Sequence, residues 1–92
     1  MAPRTIWINP DRLKDRMSLS IYMQELFSSL NMTIETPNDL LQFLKTVKED
    51  VELVFSAQCI HEICSSGYAY RVLMVFGKAA ESNSHIQIHF RP

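Results

Sequence analysis

Glycine is scarce in this sequence: Gly67 and Gly77 are the only two among 92 residues, alongside four prolines. A loop that cradles phosphate needs glycines close together, so no glycine-rich nucleotide site can be assembled. The same scarcity, with 47% apolar residues, excludes a collagenous, low-complexity or disordered chain. Cysteine is confined to Cys59 and Cys64, too few for a disulfide-stapled scaffold. An excess of one charge is missing too, since nine basic residues face ten acidic ones. Residues 1–50 hold six basic and seven acidic groups, and residues 51–92 hold three of each. That balance gives no basic face on which to neutralise phosphates, so no nucleic-acid partner is expected. Long hydrophobic runs are absent. The longest stretches without Asp, Glu, Lys or Arg are 26–34, 53–61 and 82–90, nine residues each. They reach about half the length of a membrane-spanning helix, and no membrane partner is expected. Met1-Ala2-Pro3-Arg4 opens no apolar leader, which points to a cytoplasmic or nuclear address. The length predicts one domain over 1–92.

What is present reads as continuous structure. Ile6 and Ile8 alternate with Thr5 and Trp7, the period of a strand over 4–9. Asn9-Pro10 stops it and suits the start of a helix. The mixed-charge stretch 11–16 is a solvated first turn or a separate short one. Leu19, Tyr22, Met23, Leu26, Phe27 and Leu30 then fall on a single helical face, with Asn31 as its stop. Thr36-Pro37-Asn38-Asp39 announces a second helix through a cap, a proline at the first helical position and a capping-box acid. Leu40, Phe43, Leu44 and Val47 follow at helical spacing. From Val51 to Ala57 either a helical continuation or a strand fits, and β-branched content favours the strand. Ser65-Ser66-Gly67 reads as a three-residue hairpin turn, with Gly67 in the left-handed position. A strand over 68–76 would leave it, with Tyr68, Tyr70, Val72, Met74 and Phe76 on one face and an apolar set on the other. Residues 77–84 read as a polar loop. Ile86, Ile88 and Phe90 make a last strand facing the core, turning His85, Gln87 and His89 outward. The expected fold is α+β: two helices packed on one face of a mainly antiparallel sheet of about four strands, in the order β-α-α-β-β-β. This element order, over the whole chain, resembles that of the dynein light chains, although no motif is shared and no residue role follows.

Cys59, His61 and Cys64 form the densest group of potential ligands, with His85 and His89 completing the histidines. Two thiolates and two imidazoles would suffice for zinc, but the spacing matches no paired-ligand module. On a strand, Cys59 and His61 would share one face while Cys64 pointed to the other. Buried small hydrophobes are the simpler reading of the cysteines, so no metal or cofactor is expected. No setting that would activate a thiol is visible, and Glu49-Asp50 reads as a solvated pair, so no enzyme is expected. What remains is a small protein-interaction module, a homodimer or an adaptor, acting through an exposed sheet face or edge. A small thiol- or zinc-dependent regulator centred on Cys59, His61 and Cys64 is the alternative. Trp7, facing away from the core side of its strand, is a candidate anchor. Tyr68, Tyr70 and Val72 would lie at the contact, and His85 and His89 on the same outward face would weaken binding as the pH falls below neutrality.

Overall fold

A computed structural model describes residues 2–27 and 33–92. Its strands are β1 (Arg4–Trp7), β2 (Val51–Ser56) and β3 (Ile86–Arg91), and its helices α1 (Arg16–Leu26), α2 (Pro37–Leu44), α3 (Ala57–Cys64) and α4 (Gly67–Ser82). A 3-10 turn, Pro10–Leu13, precedes α1. Both strand pairs are parallel, in the order β1-β2-β3, with Ile6 beside Leu53 and Leu53 beside Ile88.

The expected antiparallel sheet of about four strands, and with it the likeness to dynein light chains, is therefore overturned. The reason lies between β2 and β3. Parallel neighbours need a crossover, and residues 57–82 supply one as two helices rather than as a hairpin. Ser56 and Ser66 are their N-caps, accepting from the Cys59 and Ala69 amides at 3.0 and 3.4 Å. Gly67 opens α4 with no positive φ, so the expected left-handed turn is not formed. The stretch 68–76 is helical, and the expected loop 77–84 is largely the rest of the same helix. Its buried residues Ala69, Val72, Phe76 and Ala79 keep helical spacing.

Other local signals hold. The strand over Val51–Ser56 is formed, and the capping box at Thr36 and Asp39 is complete. Asn9 caps the 3-10 turn, accepting from the Asp11 amide at 3.0 Å. Residues 10–13 are a separate turn, and the single apolar side chain there, Leu13, is fully buried. The new helix begins after Asp15, whose carboxylate accepts from the Ser18 amide at 2.8 Å and its hydroxyl at 2.9 Å. Leu19, Tyr22, Met23 and Phe27 are buried as expected, whereas Leu26 is only partly so. The expected face residue Leu30 and stop Asn31 lie outside the described residues.

Right-handed crossovers that step twice in the same direction lay both helical layers on one side of the sheet. The burial follows that rule. Ile6, Val51, Leu53, Phe55 and Ile86 face the helices and are buried, and α2 packs on α4 in the same layer. Asn83, at the end of α4, joins the two crossovers. Its side-chain amide donates to the carbonyls of Leu44 and Val47 at 2.9 and 2.8 Å, and its oxygen accepts from the His85 amide at 3.0 Å.

Candidate interaction surface

Strand alternation sends every second residue to the side of the sheet away from the helices. These residues are Thr5 and Trp7 on β1, Glu52, Val54 and Ser56 on β2, and Gln87, His89 and Arg91 on β3. The register sets them in rows: Thr5–Glu52–Gln87, then Trp7–Val54–His89, then Ser56–Arg91. Among the described residues no element covers this face. Trp7 is 61% exposed, while Val54 between it and His89 is 2% exposed.

The first row is polar and linked. The Thr5 hydroxyl donates to a Glu52 carboxylate oxygen at 3.2 Å. The other Glu52 oxygen lies 3.8 Å from His89 Nε2, which also lies 3.4 Å from the Gln87 side-chain oxygen. The second row presents the Trp7 indole beside the partly buried His89 imidazole, with Val54 closed off between them. An apolar anchor rimmed by groups that exchange hydrogen bonds is the composition of a protein-contact patch.

Trp7 is held from behind. The Tyr22 hydroxyl donates to the Trp7 carbonyl at 3.3 Å and accepts from the Asn9 amide at 3.1 Å, fixing the end of β1. Burial pushes the Tyr22 phenol up in pKa, so it stays protonated and able to donate. The Arg12 guanidinium lies 5.0 Å from the Tyr22 ring centre and pairs with Glu25 at 2.9 Å.

The expected site residues divide. Trp7 and His89 share a row on the open face. His85 lies just before β3, and its Nδ1 lies 2.8 Å from an Asp50 oxygen. Tyr68, Tyr70 and Val72 are in the helical layer on the opposite side. Val72 is fully buried and takes part in the core, Tyr70 is exposed, and the half-buried Tyr68 has a hydroxyl without a partner among the described residues. The expectation of one contact joining these three to Trp7 is therefore corrected: a helix replaced the strand that would have brought them together.

The cysteine cluster is also rearranged by its helix. Cys59 and Ile63, four residues apart, face the core, whereas His61 and Cys64 are exposed. The shared face for Cys59 and His61 does not exist. Burial pushes the Cys59 thiol up in pKa and Glu62 adds to the effect, which makes it a poor nucleophile. Its sulfur lies 3.5 Å from the Ile8 carbonyl. Among the described residues no three His, Cys, Asp or Glu side chains stand close enough to hold an ion.

The sequence also concealed a second surface. Phe90, read as core-facing, is 64% exposed, and Met74 on α4 is 51% exposed. With Leu73 and Ile88 they line a groove of about 430 Å³ between α4 and the outer edge of β3. No signal in the sequence separates Phe90 from Ile86 and Ile88. Phe90 sits on β3, an edge strand with no described strand on its outer side, and that side is left to solvent. No family model matches the chain, and no curated protein matches it.

Proposed function

We propose that this chain is a small, non-enzymatic protein-interaction module that takes a protein partner on the open face of its sheet, with Trp7 as the anchor. The observation that carries the reading is an all-parallel sheet with one face that no element covers among the described residues. Sheets of this kind occur almost only with both faces covered, because each face buries apolar side chains. Here the helices cover one side, and an exposed indole stands on the other. Tyr22 supports the reading by holding the Trp7 backbone, which lowers the ordering cost of binding. A cytoplasmic or nuclear setting suits two cysteines that are both free thiols, one of them exposed.

Partner recovery with wild type and with Trp7→Ser tests this. The substitution removes a mostly solvated side chain, so stability should change little. Partner affinity should fall by more than about thirtyfold, the loss typical of an interface hot spot. Identical partners at identical affinity for both proteins would end the proposal.

A further inference from the structure

We infer that the groove between α4 and β3 receives a second copy of this chain, the two β3 strands pairing antiparallel about a two-fold axis. This surface lies at the edge of the sheet and is independent of the open face and of Trp7.

The backbone supplies the first argument. The Val51 amide donates to the His85 carbonyl at 2.9 Å, and the parallel ladder alternates from there. The N–H and C=O of Ile88 and Phe90 therefore point away from β2, and no described strand pairs with them. An unpaired edge of this kind is a template for another strand, and an identical edge offers the same two donors and two acceptors in return.

The side chains supply the second. In a two-fold contact one patch must complement itself. This patch carries both halves of such a fit: Phe90 projects at 64% exposure beside a groove lined by Leu73, Met74 and Ile88. Each copy can seat its phenyl ring in the groove of the other.

Charge supplies the third. Lys78 and Glu81 stand at the groove on α4, and neither has an ion-pair partner among the described residues. One group of each sign makes the rim neutral, so it meets its own image without net repulsion. A strongly acidic or basic peptide would find no complement there.

Light scattering at high protein concentration should give twice the 10.7 kDa chain mass. Lys78→Glu should raise the dissociation constant at least about tenfold, because each rim then presents two acids to two acids. Adding Glu81→Lys should restore association. Phe90→Pro should give a folded monomer, since it removes an outward N–H and the projecting ring but no bond to β2. Hydrogen exchange at the Ile88 and Phe90 amides should slow as wild-type concentration rises. Trp7→Ser should leave the mass unchanged. A wild type at the single-chain mass, or a dimer indifferent to both Lys78→Glu and Phe90→Pro, would overturn the inference.

Discussion

Asn83 does more for this fold than its polar character suggests. It is buried, and its side chain spends both amide hydrogens on the carbonyls that end the α2 segment while its oxygen orders the start of β3. Replacing it with Ala would take the side-chain partner from the Val47 carbonyl and the His85 amide, and leave the Leu44 carbonyl only its bond from the Val47 amide. Asn83→Ala should cost about 1–3 kcal/mol in urea unfolding. A loss below about 0.5 kcal/mol, the range of surface changes, would mean that these bonds do not exist. Asp15 acts through charge instead. Hydrogen bonds from the Ser18 amide and hydroxyl hold its carboxyl below the usual range. A lowered folded-state pKa means that the stabilisation is complete above the unfolded value, near about 3.9, and is lost as pH falls through the folded one. Wild type should thus lose melting temperature below about pH 4 more steeply than Asp15→Asn. Parallel pH profiles for the two proteins would count against the cap.

At the scale of elements, helix periodicity and capping residues were good guides wherever they agreed. The α1 face was readable from Leu19, Tyr22 and Met23, but its far end was not, since partial burial of Leu26 depends on what α1 packs against. Leu19→Ala, at a site with no exposure, should cost about 2–5 kcal/mol. Leu26→Ala should cost less than half of whatever Leu19→Ala costs. Equal losses from denaturant melts would place the helix in a different rotation. The α4 segment was misread because its residues satisfy two periods at once. Tyr68, Tyr70, Val72, Met74 and Phe76 alternate, while Ala69, Val72, Phe76 and Ala79 repeat helically. Aromatic and β-branched side chains tipped the reading toward a strand, although Ser66 in capping position and the paired alanines 79 and 80 were the better evidence.

Among the described residues the sheet has three parallel strands and helices on one face, and this sets which amides are protected. Arg4 and Ile8 amides donate to the Asp50 and Val54 carbonyls, both at 3.0 Å. By alternation the Ile6 amide also faces β2, and those of Thr5 and Trp7 face outward. Hydrogen exchange should therefore alternate along β1, slow at Arg4, Ile6 and Ile8 and fast at Thr5 and Trp7. Central β2, bonded on both sides, should be protected throughout. Uniform protection along β1 in the isolated chain would reveal a further strand at that edge and refute the three-stranded order.

The sequence by itself determined local matters: where helices start at Asn9, Thr36 and their neighbours, the strand period at Ile6 and Ile8, and, with two glycines and two cysteines, the lack of a glycine-rich loop or a disulfide-dense framework. These follow from side chains meeting their own backbone within a few residues, or from composition alone. Tertiary structure decided strand direction, the fate of 68–76, and which apolar residues remain in water. Strand direction depends on whether the connection is a hairpin or a helical crossover, and an apolar run that fits both periods leaves that to packing. The same packing buries Val72 and Ile86 while exposing Phe90, because exposure belongs to a residue's place in the layers and not to its type. Trp7 could be read as facing away from the core, but only the parallel order of β1, β2 and β3 sets it in a row with Val54 and His89.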